Sequence, residues 1–103
     1  MIVEMARIVV KPGMETAFET GVAEAAPLFR RAKGCRAMAL RRSQENPALY
    51  VLVVEGETLE DHTVQFRESE DFQTWRRLVG ETFAEPPEVE HLNLVAHHFG
   101  EET

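Results

Sequence analysis

Residues 2–10 read Ile-Val-Glu-Met-Ala-Arg-Ile-Val-Val, and both alternating sets of side chains in this run are mostly apolar. β-Branched residues dominate it, so it predicts a strand that has to be covered on both faces. A chain of 103 residues has room for one core. Helices packed on one side of a sheet therefore leave its other side to be covered by something else.

The rest of the chain supplies the helices and the partner strands. Lys11-Pro12-Gly13 ends the first strand, and apolar residues then recur at Met14, Phe18, Val22, Ala25, Leu28 or Phe29, and Ala32. That spacing predicts a helix of about five turns. Pro27 should kink or end it late, and Gly34 is placed to close it in the left-handed conformation. Residues 36–42 alternate as a strand, residues 49–55 form a strongly apolar one, and Ser43-Gln44-Glu45-Asn46-Pro47 turns between them as a hairpin. Thr58-Leu59-Glu60-Asp61 has the form of a capping box opening a short helix to about Arg67. Ser69, followed by Glu70 and Asp71, caps a second piece with Phe72, Trp75 and Leu78 or Val79 on one stripe. A loop with Pro86-Pro87 precedes a last strand over 89–99, and residues 100–103 form a disordered tail.

The predicted order is β-α-β-β-α-β in a single domain over residues 1–99, an α+β architecture with helices on one sheet face. The other face exposes apolar residues of strands one and three, too large an area for a lone monomer. The pattern therefore predicts a homodimer whose open sheet faces pack together.

Charge and cysteine content narrow the function classes. There are 11 Lys and Arg against 18 Asp and Glu, a formal net charge of −7. Arg30, Arg31, Lys33, Arg36, Arg41 and Arg42 fall in a stretch without an acid. No nucleic-acid motif and no interleaved aromatic residues accompany it, and the acidic remainder repels phosphate, so no nucleic-acid partner is expected. A solvated face or ion pairs to a partner subunit's acids fits better. No apolar run approaches the roughly 20 residues of a membrane span, and the N-terminus lacks a signal-peptide pattern, so no membrane partner is expected. Cys35 alone rules out an internal disulfide or a zinc site built on several thiolates, and a cytoplasmic setting is expected.

Motifs in order along the chain carry a family resemblance: Lys11-Pro12-Gly13 after the first strand, Phe18, Gly34-Cys35, Arg42-Ser43, Asn46-Pro47, Tyr50, Leu59-Glu60-Asp61-His62, Phe66-Arg67, Ser69-x-x-Phe72-x-x-Trp75 and Pro87-x-Val89-x-His91. Over about residues 2–96 the chain resembles the antibiotic biosynthesis monooxygenase domain family. The resemblance implies a ferredoxin-like fold, a dimeric α+β barrel, and oxygenation of polycyclic aromatic phenols or quinols by O₂ with no metal or flavin cofactor. Relatives of the same fold degrade haem. Their Asn, Trp and His fall near Ala6, Phe66 and Arg76 of this chain, and none matches, which argues against haem degradation.

Such an oxygenase needs a general base, a donor for the oxyanion and an apolar pocket. His62 is the candidate base, since imidazole titrates near neutral pH and its helical position shares a stripe with Leu59 and Phe66. A buried histidine bonded to backbone is the plainer alternative. Phe66, Phe72 and Trp75 are candidates for the wall of an aromatic pocket, although such a stripe is more often core. His91 and Asn93 are candidate donors to a bound phenol. His91 and His97 lie some 20 Å apart at ~3.3 Å per residue, too far for one metal, so no metal site is expected. Cys35 reads as a small buried hydrophobe. The expected activity is therefore cofactor-independent oxygenation of a small aromatic phenol or quinol. The rival is a non-catalytic dimeric binding or stress-response module on the same fold.

Overall fold

Strand β1 (Ile2–Val9) is the hub of the molecule, paired antiparallel on one side with β3 (Leu49–Gly56) and on the other with β4 (Glu88–Asn93). Strand β2 (Cys35–Arg42) completes an antiparallel sheet of order β2-β3-β1-β4. A computed structural model of the chain describes residues 1–100, apart from the side chains of His62 and Thr63. Of the tail expected over residues 100–103, residues 101–103 lie outside the described residues, as does the imidazole of His62. Helix α1 (Glu15–Arg30) follows β1, and α2 (Glu70–Val79) lies between β3 and β4, preceded by a π-helical segment (Asp61–Phe66). The element order is the predicted β-α-β-β-α-β, a ferredoxin-like α+β fold.

The alternation of β1 decides which face each residue meets. Glu4, Ala6 and Ile8, continued by Val10, are buried, and so are Tyr50, Leu52 and Val54 of β3. Helix α1 lays Phe18, Val22, Ala25 and Phe29 on this face at the spacing read from the sequence. Gly21 lets α2 approach closely: a Cβ there would meet the Leu78 carbonyl oxygen at 2.9 Å and Val79 Cγ1 at 3.0 Å. On the opposite face Val3, Met5, Val9, Leu49, Val51 and Val53 are only partly buried, and among the described residues no element covers them.

Turn chemistry follows the expected residues. Ser69 Oγ accepts from the Phe72 amide at 3.2 Å, and Thr58 Oγ1 accepts from the Asp61 amide at 3.1 Å. In the hairpin, Asn46 Oδ1 accepts from the Ala48 amide at 3.2 Å. Gly34 has φ +75°.

Three expectations need correction. Helix α1 ends at Arg30 and not at Ala32, three residues beyond Pro27, and Gly34 belongs to the turn that follows. The last strand ends at Asn93 and not at residue 99: Asn93 pairs with Ile2, the first residue of β1, and the pairing goes no further. Leu94 and Val95 beyond it are 69% and 97% exposed. Leu59, expected on a sheet-facing stripe with Phe66, is 40% exposed. The π-helical winding of Asp61–Phe66 spaces bonds i→i+5, so the i, i+3, i+4 stripe does not carry across it.

Four of the six residues of the basic stretch pair with acids of the same chain. Arg31 makes two bonds to Asp71 at 2.6 and 2.7 Å, Arg36 pairs with Glu57 at 2.6 Å, Arg42 with Glu19 at 3.6 Å and Lys33 with Asp61 at 3.8 Å. Among the described residues no helix is long and apolar enough to cross a membrane.

Candidate functional site

Between the sheet and α2 lies a cavity of about 600 Å³. Its floor comes from β1 and β3, where Glu4, Ala6, Ile8 and Leu52 face the helices. The short side chain at Ala6, flanked in register by Leu52 and Val89, leaves room that a larger residue would fill. Phe66, Phe72 and Trp75 form the wall with Phe29 of α1, and the Gly80–Thr82 turn and the following loop close the side with Phe83, Glu85, Pro86 and Pro87.

The wall holds itself by ring contacts. Phe29 packs against Phe66 with centroids 4.7 Å apart and meets Trp75 edge-on at 5.1 Å and 87°. Phe66 meets Phe72 edge-on at 5.7 Å and 85°. Edge and tilted geometries of this kind suit the aromatic quadrupole.

Polar groups interrupt the apolar lining at Glu4, Arg67, Arg76 and Glu85. Glu4 is 6% exposed, and its Oε1 lies 3.3 Å from His91 Nε2 and 3.7 Å from an Arg67 guanidinium nitrogen. The register places His91 directly opposite Glu4, so β1 and β4 bring the pair together.

The residues singled out from the sequence are thus divided. Phe66, Phe72 and Trp75 line the cavity. His91 stands beside it, in contact with Glu4, and does not itself line it. Asn93, opposite Ile2 at the end of β4, is exposed and away from the cavity. His62 sits on the π-helical segment that ends at Phe66, and its side chain lies outside the described residues. Cys35 is half-buried, and burial pushes its thiol up, away from thiolate chemistry. The sequence reading missed Phe29, Glu4, Arg67 and Arg76. A signal for Glu4 was present: it is in phase with Ala6, Ile8 and Val10, so a carboxylate on the inward face of a core strand could be read from the alternation alone.

Comparison with known proteins adds a lineage to this geometry. The model of the family described as antibiotic biosynthesis monooxygenase matches residues 1–78. The chain is 40% identical over 95 residues to the uncharacterized protein YczJ of Bacillus subtilis, covering 92% of this chain and all of that one. It is similar to the crystal structure of a candidate antibiotic biosynthesis monooxygenase from Bordetella bronchiseptica, at 58% identity and a TM-score of 0.91 over 92% of this chain and 97% of that chain. A second candidate of that description, from Nitrosomonas europaea, shares the fold at 23% identity and a TM-score of 0.80, over 93% of this chain and all of the other.

Proposed function

Since the chain belongs to the antibiotic biosynthesis monooxygenase family, we propose that it is a monooxygenase acting on a small aromatic phenol or quinol held between α2 and the sheet. The observation that carries this reading is the cavity itself: about 600 Å³, walled by Phe29, Phe66, Phe72 and Trp75. Volumes of 300–1,000 Å³ with a mostly apolar lining and a few polar groups are typical of small-molecule sites. Flat rings stack or meet edge-on against such a wall, and exclusion of water favours an anionic substrate that gives up electrons.

In this reading the cavity orients the ring and a base takes a proton from it. The resulting anion passes two electrons to O₂ as one C–O bond forms. Loss of water then leaves a quinone, so that a phenol's ring C–H and O–H, with O₂, become two C=O groups and H₂O. His62 is the proposed base, on the segment that delivers Phe66 to the wall. The proposal needs no cofactor beyond the substrate's own electrons.

Oxygen uptake tests it, measured with a panel of phenols, quinols and anthrone-like compounds. Uptake above blank with at least one of them is expected, falling at least roughly 100-fold in His62→Ala while the fold and ligand binding persist. Binding without uptake across the panel would overturn the catalytic reading in favour of a non-catalytic binding module.

The same reading includes a homodimer formed through the uncovered sheet faces. Its support is the partly exposed apolar set Val3, Met5, Val51 and Val53, with Leu92 at 40% exposure beside them. Light scattering after gel filtration should give twice the chain mass, reduced to one chain by Val53→Glu. A wild-type chain that runs as a monomer at micromolar concentration removes the dimer from the proposal.

A further inference from the structure

Arg76 is the residue that an aromatic wall does not by itself explain. Phe72, Trp75 and Val79 of α2 follow one another at the spacing of an inward helical face, and Arg76 holds the remaining position of that i, i+3, i+4, i+7 set. An apolar residue is the ordinary occupant of such a position, yet here a charged side chain lines the cavity and is exposed. The other charged groups of the lining are Glu4, Arg67 and Glu85. Arg67 stands 3.7 Å from Glu4, which His91 also meets, so the second cation of the lining is already engaged. Glu85, on the loop after the Gly80–Thr82 turn, makes no ion pair with Arg76. Among the described residues the Arg76 guanidinium has neither an ion pair nor a side-chain hydrogen bond, and it stacks on no ring. Its planar fork of donors is thus uncommitted beside an apolar volume, in a form that matches the two oxygens of a carboxylate. The chain as a whole carries a formal charge of −7, so an anion is drawn to this cavity only where a local cation receives it.

We propose that Arg76 receives the carboxylate of an aromatic hydroxy acid, with two N–H groups paired to its two oxygens and the ring against Phe72 and Trp75. One ligand then engages one helix twice, since Phe72 stands a turn before Arg76 and Trp75 directly precedes it. The substrate class narrows from phenols and quinols in general to those that carry an ionised carboxylate, and Arg76 is a specificity-determining residue. The inference rests on the reading of the cavity as the substrate site.

Equilibrium dialysis of the full chain against 4-hydroxy-1-naphthoate and its primary amide separates the two ideas, since the pair share a shape and differ in charge. At low ionic strength the wild type should bind the carboxylate at least about tenfold more tightly than the amide, as a charge-assisted bidentate contact implies. In Arg76→Gln the ratio should fall to about threefold or less, with the amide's affinity unchanged. Arg76→Glu, which reverses the charge, should bring the ratio below one and serves if the Gln variant fails to fold. An arginine that only lays its stem over the wall and its head in water would weaken both ligands together when replaced, and leave the ratio intact. Equal binding of the two compounds by the wild type, or an undiminished ratio in a folded variant, overturns the role of Arg76 while the cavity reading stands. If neither compound binds the wild type, and 1-naphthol does not either, the cavity reading falls and the role of Arg76 with it.

Discussion

The layer between helices and sheet has two halves built from the same strands and unlike in density. Around Phe18, Val22, Tyr50 and Val79 the layer is solid: Phe18 and Val79 are fully buried, Phe18 packs tilted against Tyr50 with centroids 4.8 Å apart, and none of the four lines the cavity. Around Ala6, Leu52, Phe66 and Trp75 it is hollow. Each half also encloses one polar group from the sheet. In the solid half the Tyr50 hydroxyl donates to Glu19 at 2.6 Å. In the hollow half Glu4 meets His91 and Arg67 and still borders open volume. The contrast separates the part of the core that holds the fold from the part that has space for a ligand.

Substitutions in the two halves should differ in kind. Phe18→Ala leaves a void in the solid half and should cost about 3–5 kcal/mol by urea unfolding, a large share of what a small domain has. A cost under about 1 kcal/mol would mean that this half is not tightly packed. Gly21→Ala pushes a methyl against the Leu78 carbonyl and Val79, and should cost about 1–3 kcal/mol in the same measurement. Ala6→Leu reverses the pattern. It places a larger side chain into the hollow half, so the melting temperature should hold or rise while affinity for 1-naphthol drops at least roughly tenfold. A melting temperature that falls as far as in Gly21→Ala would show that the space is not available to a side chain.

Smaller effects sharpen the electrostatic side of the comparison. Tyr50 is the single tyrosine, and burial, with the bond to Glu19 next, pushes its hydroxyl up to about 12. Its absorbance near 295 nm should therefore titrate around pH 12 and not 10. The folded value lies above the unfolded one, so the contribution is complete below pH 10 and is lost as pH rises from 10 through about 12. Tyr50→Phe should flatten that part of the stability curve. The smallest effect belongs to the surface. Arg31 holds the Asp71 carboxyl below its usual range, so the benefit is present above the ordinary carboxylate value and is lost as acid titrates Asp71. Both side chains are solvated, and Asp71→Asn should differ from wild type at low salt and merge with it at high salt.

Most of the fold was legible along the chain because its signals are local. The phase of residues 2–10, the stripe Phe18-Val22-Ala25-Phe29, the Ser69 cap and the Asn46-Pro47 turn each depend on neighbours a few residues away, and each appears in the structure. The errors arose where distant partners decide. Residues 94–99 have strand-like composition, yet β4 stops at Asn93, whose partner Ile2 is the first residue of β1. The stripe from Leu59 to Phe66 assumed α-helical spacing, and the segment winds as a π-helix. Of the candidate site, Phe66, Phe72 and Trp75 were legible as an aromatic set, whereas the distance of Asn93 from the cavity follows from its register opposite Ile2, which the local pattern does not give.

By itself the sequence determined the element order, the inward and outward phase of each strand, and the presence of an aromatic stripe on the second helix. These follow from periodicity, which any short window of the chain carries. Only the tertiary structure decided that the aromatic stripe borders a cavity, that Glu4 and His91 meet, and that Arg31, Lys33, Arg36 and Arg42 of the basic stretch find acids within the same chain. Those outcomes depend on register and close packing between residues far apart in sequence, such as positions 4 and 91 or 31 and 71, and no local pattern encodes either.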